Sequence, residues 1–353
     1  MQTSVVDKCR ASLYTLWGMG IDYKQIEAKL AQLKALRNLK PKSQDSLESW
    51  FDIELTYSSN AIEGNTLTRI ETAQVIEKGI NVNIPGKPLK DLLEARNHQE
   101  ALLYARQLAG KLKSHQFITE SEILKIHQTI LKGIDDSWAG RYRQSEVFVK
   151  GSRTAFPFPE KVPFLMSELY EWLNVTQGEN PVKIAADAHY KFVTIHPFVD
   201  GNGRVARLLM NLILAIHGYP MAVIKNEERS KYLSSLEKAQ TTNDMNDFYH
   251  IVNFAVEKSL DSYIKFYQHE NPLPKDTTEE SFLRIGELSK QTGETIHTLH
   301  FWIKEGLIEA AKRTEGGYQL FDKKVVEIVK EIRSLQKNQR LTLTEIKQKM
   351  TRS

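Results

Sequence analysis

The chain has 353 residues, of which 41% are hydrophobic and 26% charged, with a net charge of +4. These values are typical of a folded globular protein that is large enough for two domains. No apolar run approaches the roughly 18 residues of a membrane span, and the single cysteine, Cys9, excludes a disulfide within the chain. We therefore expect a cytoplasmic protein without a membrane partner.

The first 267 residues carry long helical patterns of apolar residues, so the sequence predicts a mostly α-helical domain over residues 1–267. Two helix starts have the T-x-x-E form of a capping box, at residues 68–71 and 119–122. Residues 46–63 are also predicted to form a helix, with Gly64 as its stop signal.

The pattern changes between residues 143 and 163, where a short alternating run, a Gly-Ser turn and a return broken by prolines follow one another. Alternation beside a tight turn predicts a β-hairpin on the surface. The residues around its tip are Val147, Phe148, Val149, Lys150, Gly151 and Ser152.

Residues 196–207 read H-P-F-V-D-G-N-G-R-V-A-R, and the apolar run that follows has helical spacing. His196 supplies an imidazole that titrates near neutral pH, and Asp200 supplies a hard oxygen ligand suited to Mg²⁺. The Gly-Asn-Gly turn can direct amide N–H groups at phosphate oxygens, at the positive end of a helix. A plain capped turn would explain each residue singly, but it leaves Arg204 and Arg207, three positions apart on one helical turn, without a reason. The run therefore predicts a phosphate-handling site.

Residues 268–280 are rich in Asn, Pro, Asp, Thr and Glu, and this composition predicts a linker. Residues 281–353 show the order helix, turn at Gly293, helix, hairpin at Gly316 and Gly317, helix, which is typical of a small winged helix-turn-helix domain. This segment holds 14 Lys and Arg against 9 Asp and Glu, so the basic excess of the chain lies here.

The run 196–207 resembles the signature of the Fic family, H-x-F-x-D/E-G-N-G-R-x-x-R, at every defined position. The resemblance implies a Fic-type helical core with a short β-hairpin flap. It also implies an enzyme that transfers AMP from ATP to a Ser, Thr or Tyr hydroxyl of a target protein. His196 would be the general base, Asp200 would hold Mg²⁺, and the predicted hairpin would be the flap that docks the target.

The same resemblance implies which residues contact the nucleotide. The second glycine of the signature favours AMP transfer over phosphate transfer, while UMP and phosphocholine transfer stay open. Tyr232, on the helix after the signature, is either an adenine contact or a core residue. The residues expected to bind the phosphates are Gly201, Asn202, Gly203, Arg204, Val205, Ala206 and Arg207.

The segment S-N-A-I-E-G, residues 59–64, matches the inhibitory pattern of the family, S/T-x-x-x-E-G/N. The resemblance implies that Glu63, on a helix over about residues 46–64, pairs with Arg207 and keeps ATP out of its productive pose. Ser59 shares a helix face with Glu63 and can orient its carboxylate. The alternative is a surface glutamate before the glycine that ends a helix. Removal of AMP, which some family members with this element also catalyse, stays open.

Residues 281–353 resemble the DNA-binding domain of the MerR family, with Tyr318 and Phe321 in the wing. His300 and Gln319 stand where that family usually has arginine, so two phosphate-seeking charges are missing. The resemblance and the basic excess make DNA one expected partner. The two missing charges favour the alternative, which is protein binding or a homodimer. A second hypothesis for the whole chain is a DNA-binding transcriptional regulator that uses the Fic site as a nucleotide sensor.

Overall fold

The chain forms two compact units, Met1–Pro272 and Leu273–Ser353, and the boundary falls within the predicted linker. Residues 268 and 269 of the predicted linker belong to a helix of the first unit, and residues 270–280 lie outside the described residues. The computed structural model describes residues 23–37, 44–148, 154–269, 282–313, 319–338, 341 and 343–350.

The first unit is helical, as the periodic apolar patterns predicted. Both predicted capping boxes are present, at residues 68–71 and 119–122. The α-helices of its described part are α1 (Tyr23–Arg37), α2 (Gln44–Ile62), α3 (Arg69–Lys78), α4 (Leu89–Lys111), α5 (Glu120–Leu131), α6 (Val162–Val175), α7 (Pro181–Ile195), α8 (Asn202–Ile216), α9 (Arg229–Thr242) and α10 (Asn246–His269).

Helix α8 is the central helix of this unit. Almost every residue from Asn202 to Leu214 is buried, on all faces of the helix, as expected of a helix enclosed by others. It packs against α7, α4, α5 and α2. This enclosure fixes the N-terminal end of α8, where the glycine turn lies.

Helix α2 confirms the prediction of a helix before Gly64, which adopts a φ of +98° that favours glycine. Its inward face mixes apolar and polar side chains. Asp52 pairs with Arg106 at 2.6 Å, and the amide of Asn60 donates to the carbonyl of Thr56 at 3.0 Å. The helix is therefore held by ion pairs and hydrogen bonds in addition to apolar contacts. Its buried polar residues are Asp52, Glu54, Thr56, Ser58, Ser59 and Asn60.

The second unit contains the predicted helix-turn-helix, with Gly293 at a φ of +73° between its helices. A three-stranded antiparallel sheet in the order β1-β3-β2 supplies the wing. Trp302 and Phe321 lie in the apolar core of this unit. The predicted wing turn, with Gly316, Gly317 and Tyr318, lies outside the described residues. The elements are β1 (Phe282–Arg284), α11 (Ile285–Thr292), α12 (Ile296–Lys304), β2 (Lys312–Arg313), β3 (Gln319–Asp322), α13 (Val325–Asn338) and α14 (Leu343–Met350).

The predicted hairpin is described only in part. Val147 and Phe148 are not in a strand, and Val149, Lys150, Gly151 and Ser152 lie outside the described residues. Among the described helices of both units, none is both long and apolar enough to span a bilayer.

Candidate active site

An open cavity of about 420 Å³ lies in the first unit, at the N-terminal end of α8. Its size is within the range of pockets that hold small molecules. The cavity brings together residues that are far apart in the sequence. Residues of the predicted signature, the predicted inhibitory segment and α9 all line it, among them Glu63, His196, Asp200, Gly203, Arg207 and Tyr232.

His196 caps the C-terminus of α7 in the left-handed conformation, with φ 51° and ψ 59°. Its Nδ1 lies 3.3 Å from the carbonyl oxygen of Val193. A carbonyl can only accept, so Nδ1 carries the proton and Nε2 is left as an acceptor. Burial lowers the pKa of His196 to about 4, so the ring is neutral at neutral pH. The ring of Phe156 packs beside it, with centroids 4.2 Å apart.

One glycine precedes α8 and another lies in its first turn, and both have close neighbours. Gly201 has a φ of +83°, and a Cβ there would lie 3.3 Å from the imidazole of His127. A Cβ on Gly203 would overlap the Oε1 atom of Glu63. The first N–H groups of a helix have no acceptor within the helix and carry partial positive charge. The turn and the start of α8 therefore form a cradle suited to an anion.

Three of the residues predicted to contact phosphates make internal contacts in the structure. The amide of Asn202 accepts from the N–H of Phe198 at 2.9 Å and donates to its carbonyl at 2.8 Å. This side chain thus ties the turn together, and the residue is 2% exposed. The side chains of Val205 and Ala206 are buried in the core, and the N–H of Val205 donates to the carbonyl of Gly201 at 3.0 Å.

Arg204 and Asp200 form an ion pair at the cradle. Arg204 is buried between Glu94, at 3.1 Å, and the carboxylate of Asp200, at 3.3 Å. Burial raises the pKa of Asp200, but Arg204 and the N–H of Gly201, 2.6 Å away, outweigh that effect and hold the pKa below its usual range. The carboxylate of Asp200 is therefore ionised, and its side chain is 55% exposed. These properties fit Mg²⁺, which proteins often hold by one carboxylate together with substrate phosphates.

Helix α2 and the residue directly after it supply most of the hydrogen-bond partners of Arg207. The Nη2 atom donates to Glu63 Oε1 at 2.7 Å and to the carbonyl of Ser59 at 2.8 Å. The Nε atom donates to Ser59 Oγ at 3.0 Å, and Nη1 lies 3.3 Å from the hydroxyl of Tyr232. Arg207 is 5% exposed, whereas the side chain of Glu63 is 38% exposed. Glu63 directly follows the last residue of α2, and Gly64 comes next.

Tyr232 lies in the interior, 1% exposed. Its hydroxyl is 2.9 Å from Nε2 of His189 and also contacts Arg207. Of the two interpretations of this residue, the structure supports the core residue, with its hydroxyl turned to the signature arginine. The adenine contact stays a prediction. At the mouth of the same cavity lie Val147 and Phe148, and Phe148 is 88% exposed.

Two residues that matter for this geometry were missed in the sequence. Glu94 on α4 bridges Arg204 and the amide of Asn65, which donates to it at 2.9 Å. His127 on α5 lies 3.0 Å from the carbonyl oxygen of Asp200, and its ring stacks on Phe198 at 3.5 Å. Each is a single polar residue in a long helical pattern, so no local signal distinguishes it from a solvated side chain.

Each of the two units matches a family of known proteins. Residues 117–214 match the model of the Fic/DOC family, and residues 283–353 match the MerR HTH family regulatory protein. A crystal structure of a Fic domain containing signaling protein from Bacteroides thetaiotaomicron has 32% identity and a TM-score of 0.61, and the match covers 70% of this chain and 98% of that one. The chain belongs to the Fic family. Fic-1 from C. elegans, with 31% identity and a TM-score of 0.60, matches 70% of this chain over 74% of its own.

Curated relatives of this Fic protein carry the name Protein adenylyltransferase Fic. The protein of that name from Culex quinquefasciatus is 35% identical over 252 residues, which are 69% of this chain and 49% of the relative. The one from Nematostella vectensis is 38% identical over 210 residues, 59% of this chain and 48% of the relative. The chain thus spans about half the length of the curated relatives that it matches.

Proposed function

We propose that this Fic protein transfers AMP from ATP to a hydroxyl side chain of a target protein, and that α2 holds it inactive. One observation carries the proposal. A neutral histidine, an anion cradle and Arg207 line one cavity, and the carboxylate of Glu63, directly after α2, already binds Arg207. The name of the curated relatives supports the same reaction, since they are protein adenylyltransferases.

His196 would act as the general base. Its Nε2 atom accepts the proton of the target hydroxyl while the hydroxyl oxygen attacks the α-phosphorus of ATP. The bond from the α-phosphorus to the oxygen that bridges to the β-phosphate breaks, and pyrophosphate leaves. In the resting protein the low pKa keeps the ring unprotonated. Bound phosphates would raise that pKa, because negative charge nearby favours the imidazolium that forms on attack.

The cradle would neutralise the phosphates of ATP. Asp200 and phosphate oxygens would hold Mg²⁺, which screens negative charge on the triphosphate. Arg204 keeps the carboxylate of Asp200 oriented, and Glu94 fixes Arg204 from its other side. The free N–H groups at the start of α8 add a fixed positive potential.

Glu63 would compete with ATP for Arg207. Its carboxylate lies over Gly203, in the space that a Cβ there would need, and it binds Arg207 at 2.7 Å. A phosphate and a carboxylate cannot share one guanidinium without mutual repulsion. Breaking a fully buried pair costs about 3–5 kcal/mol, and an exposed pair contributes about 0–1 kcal/mol. Since the side chain of Glu63 is 38% exposed, the energy needed to break this pair should lie between these two ranges.

Incorporation of label from ATP that is radioactive at the α-phosphate tests both parts of the proposal. Glu63→Gly should raise labelling of the chain or of added proteins well above the labelling seen with the wild-type protein. Adding His196→Ala should abolish this labelling. Intact mass should increase by one AMP group for each label. Absence of label in the Glu63 variant at any protein or nucleotide concentration refutes the transfer, and equal labelling with and without Glu63 refutes the inhibition.

DNA binding by the second unit is the other candidate function. It is supported by the match to the MerR HTH family and by the net charge of +5 over residues 281–353. The exposed side chains of α12 include Ile296, His300 and Phe301, so affinity would come mainly from phosphate contacts by lysines elsewhere. Fluorescence anisotropy with a random duplex should then show binding that weakens steeply as salt rises. No binding at low salt refutes this function.

A further inference from the structure

Arg143 is a buried arginine that the mechanism above does not use. It is 2% exposed, and its guanidinium donates to three backbone carbonyls. Nε donates to His196 at 2.8 Å, Nη1 to Ser145 at 3.0 Å and Nη2 to Pro157 at 2.5 Å. Its own backbone N–H donates to the carbonyl of Pro197 at 2.9 Å. One residue thus contacts two successive peptide groups at the start of the signature.

These contacts bear on the conformation of His196. Its left-handed backbone is costly for a residue with a Cβ, about 1–2 kcal/mol, and such a conformation persists only when the surroundings hold it. On one side, the N–H of His196 donates to the carbonyl of Phe192 at 2.9 Å. On the other side, Arg143 holds the carbonyls of His196 and Pro197. Both peptide planes that flank the imidazole are therefore tied down.

The same guanidinium also binds the carbonyls of Ser145 and Pro157. Two aromatic residues near these positions belong to the site: Phe148 lines the cavity, and Phe156 packs on the ring of His196. Arg143 therefore links the position of the general base to the backbone beside these two aromatic residues.

The chemistry of the contact requires arginine. A guanidinium offers five N–H donors in a rigid planar fork, so it can serve three carbonyls that lie in different directions. A lysine ammonium at the end of a flexible stem cannot reach all three at once. Arg141, two residues earlier, is exposed and offers a matched control of the same type.

We propose that Arg143 is a positioning residue for AMP transfer. It holds His196 in its left-handed conformation and fixes the position of the imidazole relative to Phe156 and to the backbone at Ser145 and Pro157. The inference rests on the proposed function, and it predicts a defect in the chemical step with nucleotide binding intact.

The experiment uses the full chain with Glu63→Gly as the parent. Arg143→Lys and Arg143→Met are compared with Arg141→Lys and Arg141→Met by initial rates of label incorporation at varied ATP. Displacement of a catalytic group by about 1 Å costs about 100-fold in rate, so we expect kcat to fall by about that factor in both Arg143 variants. The KM for ATP and the dissociation constant of a fluorescent ATP analogue should change less than about threefold, and the Arg141 variants should match the parent.

A second readout does not depend on activity. Nitrogen chemical shifts of the histidine rings report the tautomer of His196, which should be Nδ1–H in the parent and a mixture in the Arg143 variants. Rates within about threefold of the parent, or an unchanged His196 spectrum, overturn the proposal, as does a loss of ATP binding as large as the loss of rate. If Arg143→Met does not fold, Arg143→Lys decides. A parent that takes up no label refutes AMP transfer itself, and the spectrum then still decides whether Arg143 orients the ring.

Discussion

Two adjacent serines on α2 allow the contact to Arg207 to be tested independently of the packing of the helix. Ser59 and Ser58 are both buried, at 5% and 1% exposure. Ser59 Oγ accepts from Nε of Arg207 at 3.0 Å, whereas Ser58 Oγ has no hydrogen-bond partner within the described residues. We expect Ser59→Ala to weaken the hold of α2 on Arg207, and Ser58→Ala to leave that hold unchanged.

The magnitude follows from what each substitution leaves behind. Ser59→Ala strands a buried N–H of a charged group, which costs about 1–3 kcal/mol, while the bonds from Nη2 to Ser59 O and Glu63 remain. Ser58→Ala removes a buried hydroxyl that makes no bond among the described residues, so its effect should be near zero or slightly stabilising. If ATP replaces α2 at Arg207, the same free energy shifts the competition toward ATP by about 5- to 150-fold.

Two measurements check these values. Urea denaturation of the unmodified chain and both variants gives the change in the free energy of unfolding. Uptake of label from radioactive ATP gives the change in activity, which in Ser59→Ala should lie between the unmodified protein and Glu63→Gly. Equal effects of the two substitutions in both assays would refute the assignment of Ser59 to Arg207, and destabilisation by Ser59→Ala without a rise in labelling would separate the contact from inhibition.

Two further predictions concern the turn and a histidine pair. Asn202→Asp removes the donor to the carbonyl of Phe198 and places a carboxylate against that oxygen. The free energy of unfolding should therefore fall by about 1–3 kcal/mol, and binding of a fluorescent ATP analogue should be lost. Unchanged binding would contradict this role of Asn202. His115 Nδ1 and His217 Nε2 lie 2.8 Å apart, with the other nitrogen of His115 3.1 Å from the carbonyl of Thr176. Burial lowers the pKa of both rings below the usual 6.5. The unfolded chain then binds more protons, so stability should decrease as pH falls from about 7.5 to about 5. Urea denaturation at both pH values should show a smaller decrease in His217→Gln, and an identical decrease would exclude this pair as a source.

Much of the fold followed from short-range signals. The T-x-x-E capping boxes, the stop at Gly64 and the turn at Gly293 all depend on backbone geometry over a few residues, and the structure confirms them. The fold class and both family resemblances are likewise confirmed. By contrast, the contacts of Asn202 and the interior positions of Val205 and Ala206 could not be read locally, because they depend on which neighbours enclose α8.

The sequence by itself determined that a base, a carboxylate, a glycine turn and two arginines lie close together at the start of a helix, since residues 196–207 are contiguous. Only the tertiary structure decided which partner each charged group has. Arg204 lies between Asp200 and Glu94, and Arg207 binds Glu63 and Ser59. The reason is physical: periodicity and turn chemistry act over a few residues, whereas the choice of partner depends on how α2, α4 and α8, far apart along the chain, pack in one core.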